Sequence, residues 1–161
     1  MNSRIGKYVF SALFVLALSP AFAQFSAGFN LAFPSGTWSN GWGMGFGLDG
    51  RYEAQIQDKL NWTASIGYYS FPGKNSFANI STVPIVGGIK YYFERRNSGF
   101  YGAADLGLYF WSSNVAYGST TRAGFAPALG YRWRKADFSF RYHAMADLSY
   151  VGLRIAYMFP K

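Results

Sequence analysis

The chain has 161 residues, a formal net charge of +8, no cysteine, 19 glycines, 21% aromatic residues and only 14% charged residues. The length suits one domain, the lack of cysteine excludes disulfides, and the basic residues stand singly or in pairs rather than in the stripe that nucleic acid requires. Mean hydropathy is +0.00, and beyond the N-terminal run no segment is long and apolar enough for a spanning helix.

The N-terminus reads separately. Arg4 and Lys7 form a basic region, Val9 to Leu18 an apolar run, and Ser19-Pro20 a break, followed by the small-x-small site Ala21-Phe22-Ala23 before Gln24. This is the pattern of a secretory signal peptide, too short to span a bilayer as a helix. Residues 1–23 are expected to be removed, leaving a domain over 24–161 with 13 basic against 7 acidic residues, a net +6.

From Phe25 onward the chain alternates between two faces, the period of a β-strand. The first segment, Phe25 to Phe33, puts Phe25, Ala27, Phe29, Leu31 and Phe33 on one side. The second, Met44 to Ile56, sets Phe46, Leu48 and Tyr52 against Asp49, Arg51, Glu53 and Gln55. The third, Leu60 to Phe71, sets Leu60, Trp62 and Ile66 against Asn61, Thr63 and Ser65, and the fourth, Thr82 to Glu94, sets Ile85, Ile89, Tyr91 and Phe93 against Lys90, Tyr92 and Glu94. The fifth, Phe100 to Trp111, opposes Leu106, Leu108 and Phe110 to Tyr101, Asp105 and Tyr109. The sixth, Arg122 to Trp133, opposes Phe125, Leu129, Tyr131 and Trp133 to Gly124, Ala126, Ala128, Gly130 and Arg132. The seventh, Asp137 to Ala146, has Phe138, Phe140 and Tyr142 against Ser139, Arg141 and His143; the last, Tyr150 to Phe159, has Val151, Leu153, Ile155, Tyr157 and Phe159 against Arg154 and the small residues around it. No stretch of the domain asks for a helix.

Aromatic-rich, glycine-rich segments of period two, near the ~9–11 residues a tilted spanning strand needs, are the signature of a transmembrane β-barrel. The fold expected is all-β: an antiparallel up-and-down barrel of about eight strands. The connections alternate, long at 34–42, 72–81 and 112–121, tight at 57–59, 95–99 and 134–136. That is the asymmetry of outer-membrane barrels, with the tight turns in the periplasm. Closure is required because an unpaired backbone edge in hydrocarbon costs several kcal/mol per group.

The oily face must then point to lipid and the polar face inward. A barrel of about eight strands is just wide enough to be filled by side chains. Asp49, Arg51, Glu53, Lys90, Glu94, Asp105, Arg132, Arg141 and Arg154 all share the inward parity, and are expected to form an ion-pair network that plugs the lumen. Outward aromatics near the tight turns, Tyr52, Trp62, Tyr91, Phe93, Tyr131, Trp133, Tyr157 and Phe159, are expected to form an interface girdle.

Other motifs carry less. The glycines of Gly41-Trp42-Gly43-Met44-Gly45-Phe46-Gly47 recur at every second residue with no helix after them, so they are small lumen residues rather than a phosphate loop, which opens a helix. One histidine and no cysteine make no zinc or copper site, and no cofactor is expected. The long loops are neutral and rich in Ser, Asn and Gly, with Trp38, Trp42, Phe77 and Tyr117 among them; these rings are expected at the lipid headgroups.

The leader, the strand meander and the terminal Gly152-Leu153-Arg154-Ile155-Ala156-Tyr157-Met158-Phe159 resemble the small outer-membrane β-barrel family of Gram-negative bacteria. The resemblance implies residence in the outer membrane among lipid and lipopolysaccharide. It also implies recognition of the last strand, through Tyr157 and Phe159, by the barrel-assembly machinery, although Pro160-Lys161 follow the terminal aromatic here. Enzymes on similar barrels include lipid A deacylases, whose pattern wants His-x-Ser with a later acid. Here Met145 stands two after His143 and no acid follows Asp147. Ser139 lies four residues away on the same face, about 13 Å by strand rise, beyond the reach a nucleophile and its base need.

The expectation is therefore a monomeric, non-enzymatic, porin-like barrel with a plugged lumen and a structural or surface-interaction role. A narrow channel or carrier for small solutes is the alternative, and a lipid A-modifying enzyme stands third.

Overall fold

The computed structural model describes residues 23–75, 77–95, 97–113, 118–146 and 148–160; the expected signal peptide falls outside them except for Ala23. Eight strands follow one another as β1 (Gln24–Ser35), β2 (Gly45–Gln57), β3 (Leu60–Phe71), β4 (Ile80–Tyr92), β5 (Gly99–Ser113), β6 (Ser119–Trp133), β7 (Ala136–Met145) and β8 (Ser149–Met158). Each pairs antiparallel with its sequence neighbour, and β8 returns to β1 through rungs such as Phe29 opposite Ile155 and Asn30 opposite Arg154. The barrel is closed, so no edge is left unpaired.

Register follows from parity. A slip of one residue would turn a whole strand inside out, and every pair keeps like faces together: Leu48 beside Phe29, Tyr52 beside Phe25, Phe140 beside Leu153. β5 and β6 run further toward the long loops than hydrophobic alternation indicates, because the ladder continues through hydroxyl residues, Trp111 opposite Thr120 and Ser112 opposite Ser119.

The outer face is apolar all round, with Leu48, Leu106 and Leu129 about two-thirds exposed at 66%, 64% and 65%. A continuous surface of this kind needs hydrocarbon against it. At the tight-turn end it is ringed by Tyr91, Phe93, Tyr131, Trp133, Tyr157 and Phe159, all exposed. Tyr52 and Trp62 belong to the same ring of outward rings but are half-buried, since they pack on each other at 5.0 Å and Tyr52 also meets Phe25 at 4.9 Å.

Between β1 and β2, Thr37–Asn40 forms a single 3-10 turn. Two short turns place an L-residue in the left-handed region, Asn97 at φ 53° and Arg134 at φ 53°. Asparagine tolerates that conformation; a long cationic side chain there is uncommon.

Candidate functional site

The lumen has two layers. The lower one, toward the tight turns, is ionic and deeply buried. Lys90 donates to Glu53 at 3.1 Å and to Asp137 at 2.8 Å, and its Nζ lies 3.8 Å from the centre of the Tyr101 ring. Glu53 also accepts from Tyr92 at 2.9 Å and Asn61 at 2.5 Å, with Arg132 3.9 Å away. Arg132 in turn donates to the Tyr92 hydroxyl at 3.2 Å and to the Gln24 side chain at 2.5 Å. Arg154 reaches both oxygens of Asp49 at 2.9 Å, Asp137 at 3.4 Å and the Ser26 hydroxyl at 3.1 Å. Asp105 closes the layer, held by Arg141 at 2.8 Å and the Thr63 hydroxyl at 2.8 Å, with Arg51 at 3.6 Å.

Eight of the nine residues assigned to the network by parity therefore meet inside: Asp49, Arg51, Glu53, Lys90, Asp105, Arg132, Arg141 and Arg154. Glu94 does not. β4 ends at Tyr92, the chain has already left the ladder to enter the Asn97 turn, and the Glu94 side chain is exposed below the barrel mouth. Its place is taken by Asp137, the first residue of the expected seventh strand, which alternation puts in line with Ser139 and Arg141 but which the expected network did not include. Asp137 is fully buried and joins Lys90, Arg154 and Tyr101, the last donating at 2.7 Å.

The upper layer, toward the long loops, is aromatic rather than charged. Phe71, Tyr69, Trp111, Tyr109 and Tyr150 fill it with Ala32 and Met145. Trp38, expected at the lipid headgroups, is instead buried: the 3-10 turn drops its indole into the mouth. There it meets Phe71 at 5.2 Å and Trp111 at 5.6 Å and donates from Nε1 to the Ser149 carbonyl at 2.6 Å. Trp42 packs behind it at 5.9 Å and donates to the Ala78 carbonyl at 3.0 Å. Phe77 is exposed, and Tyr117 lies outside the described residues.

These rings fit because glycines face them. A β-carbon on Gly47 would stand 2.5 Å from the Tyr69 ring and one on Gly45 2.5 Å from the Phe71 ring. The alternating glycines that open β2, Gly45 and Gly47, are thus sockets for aromatic side chains of β3. Gly124 makes the same room for Tyr109, at 2.6 Å from the position a β-carbon would take.

His143 marks the boundary between the layers. Its ring stacks on Tyr150 at 4.2 Å with planes 13° apart, and Nδ1 shares a hydrogen bond with the Tyr109 hydroxyl at 2.9 Å. It is 2% exposed and faces the lumen, while Asp147 lies outside the described residues. Among the described residues no cluster of His, Asp or Glu has the grouping of a metal site.

No family model matches the sequence, and no curated protein matches it. Solved structures do. Neisserial surface protein A superposes with a TM-score of 0.61 at 16% identity, covering 84% of this chain and 95% of that one. Ail, the attachment invasion locus protein of Yersinia pestis, in complex with the heparin analogue sucrose octasulfate, gives 0.59 at 14%, covering 85% and 97%. The N-terminal β-barrel domain of Pseudomonas aeruginosa OprF gives 0.56 at 12%, covering 84% and 97%. Closed, eight-stranded, apolar outside and ionic within, the chain has the fold of the small outer-membrane β-barrels, and its exterior fits residence in that membrane.

Proposed function

We propose that this protein is a non-conducting, non-enzymatic outer-membrane barrel that acts as a structural element and a surface-interaction scaffold. The observation that carries this reading is the filling of the lumen by two stacked layers of different chemistry, Trp38 and its aromatic neighbours above the Lys90–Asp137–Arg154 network. A solute would have to displace a packed aromatic cluster and then separate buried ion pairs. Export by the N-terminal leader, assembly through Tyr157 and Phe159, and a monomeric state complete the proposal.

The rim formed by the long loops is where such a scaffold would meet a partner. Ail carries a sulfated sugar in its structure. Here Lys74 is the one charged residue among the described residues of the long loops, so the partner proposed is not a polyanion but an uncharged or weakly charged surface.

Planar-bilayer recording tests the lumen directly: no steady openings are expected, and reproducible ion steps would overturn the reading in favour of a narrow channel. For the enzyme alternative, the mass spectrum of lipid A from cells with and without the protein is expected to be identical. His143 faces the lumen and cannot reach an acyl chain from there.

A further inference from the structure

Charge is not evenly balanced within the ionic layer. Among its described residues, Lys90, Arg132 and Arg154 contact Glu53, Asp137 and Asp49, three cations to three carboxylates. Asp105 is left facing two guanidiniums, with Arg51 Nη2 at 3.6 Å and Arg141 Nη1 at 2.8 Å from the same oxygen, Oδ2. Both arginine side chains are buried, at 2% and 7% exposed. They also differ from the other cations in their bonding. Lys90, Arg132 and Arg154 each donate to at least two side-chain acceptors. Among the described residues, Arg51 finds no hydrogen-bond acceptor for Nε, Nη1 or Nη2, and Arg141 finds none for Nε or Nη2. A buried cation without its counter-charge is costly, and each donor without an acceptor adds its own desolvation. Arginine does not relieve this by giving up its proton, so the excess of one positive charge calls for an anion.

We propose that the lumen binds one small monovalent anion of the halide class, chloride in nature, between the Arg51 and Arg141 guanidiniums. The two groups converge on one Asp105 oxygen, so a single ion can accept charge-assisted hydrogen bonds from both. A charge of −1 cancels the local excess, whereas a divalent oxyanion would reverse it. A spherical ion also sets no angular demand on its donors. The residues flanking Arg141 are small: it stands opposite Ala128 on β6 and Gly152 on β8. A β-carbon added to Gly152 would have as its nearest described contact, outside its chain neighbours, the His143 Nε2 at 3.5 Å. Arg51 is held by no hydrogen bond and turns toward an ion without breaking one. The proposal needs the charge imbalance and not a closed lumen, so it is independent of the non-conducting reading.

The test has two readouts on the folded barrel. Crystals grown from sodium bromide and measured at the bromine absorption edge are expected to show an anomalous peak in contact with both guanidiniums. Urea unfolding in lipid vesicles is then followed with chloride exchanged for gluconate, an anion too large for the layer, at constant ionic strength. Once the site is filled, the unfolding equilibrium constant is expected to fall about tenfold for each tenfold rise in chloride, the linkage of one ion bound only by the folded state. Arg51→Met leaves Asp105 paired with Arg141 alone and the layer in balance. It is expected to fold, to lose the bromide peak and to lose the chloride dependence. General effects of salt on burial act on both proteins alike, so the difference between them reports the site. A wild-type barrel with no bromide at the two arginines, equal stability in chloride and gluconate, or a chloride dependence unchanged in Arg51→Met overturns the proposal. Planar-bilayer recordings enter none of these outcomes, so this proposal and the closed-lumen reading fail separately.

Discussion

Arg154 and Asp49 offer the sharpest test of the ionic layer. The carboxylate of Asp49 is held on both oxygens by Arg154 Nε at 2.9 Å and has one other side-chain donor, Asn30 at 2.8 Å. Their side chains are 3% and 7% exposed. Arg154→Met leaves a buried carboxylate with a single neutral donor and is expected to cost about 3–5 kcal/mol, the range for breaking one side of a buried pair. Asp49→Leu strands the guanidinium less completely, because Arg154 keeps Asp137 at 3.4 Å and the Ser26 hydroxyl at 3.1 Å; its cost is expected to be about 2–4 kcal/mol. The double variant replaces the pair by apolar side chains. It is expected to cost roughly 1–2 kcal/mol, well below the sum of the singles, because no charge is left without its partner. Urea unfolding of the barrel folded into lipid vesicles measures this through the fluorescence of the five tryptophans, with stability taken from the linear dependence on denaturant. Additive costs, or a single variant costing under about 1 kcal/mol, would refute the buried network as a determinant of stability.

Three further outcomes can be checked in the same way. Gly28→Ala would place a β-carbon 2.5 Å from Asp49 Oδ1 and 2.7 Å from Arg154 Nε, and is expected to cost about 1–3 kcal/mol by overpacking, visible as a lowered urea midpoint. Tyr101→Phe removes the 2.7 Å bond to Asp137 and is expected to cost about 1.5–3 kcal/mol, as for other hydrogen bonds to a charged group; an unchanged midpoint would show that bond to be incidental. Trp38→Ala takes away the indole at the mouth and its bond to Ser149, for an expected loss of about 3–5 kcal/mol. Planar-bilayer recordings of that variant should still show no openings, because the ionic layer beneath is intact; steady conductance would locate the seal in the aromatic layer alone.

Much of this molecule follows from local rules that a sequence expresses directly. Period-two alternation is a property of consecutive residues, so the eight strands, their inward and outward faces and the lipid-facing belt are readable without coordinates. Tight and long connections likewise alternate along the chain and orient the barrel. Glu94 shows where such reasoning stops: parity continues on paper past the residue at which the chain leaves the ladder, and only the position of the Asn97 turn ends β4 at Tyr92.

What the tertiary structure decided is which inward side chains meet, and this depends on closure and on the stagger of all eight strands together. Arg154 and Asp49 are 105 residues apart, and they meet across β1, where Asn30 is opposite Arg154 and Gly28, which has no side chain to part them, is opposite Asp49. The same stagger puts Asp137 between Lys90 and Arg154. The aromatic upper layer is the larger addition. Trp38 sits in a loop of no regular period, so nothing in its neighbours tells whether it faces headgroups or the lumen. It is drawn inward because the closed mouth, with Phe71 and Trp111 below and the Ser149 carbonyl at its rim, is an apolar socket whose one polar group matches the indole nitrogen.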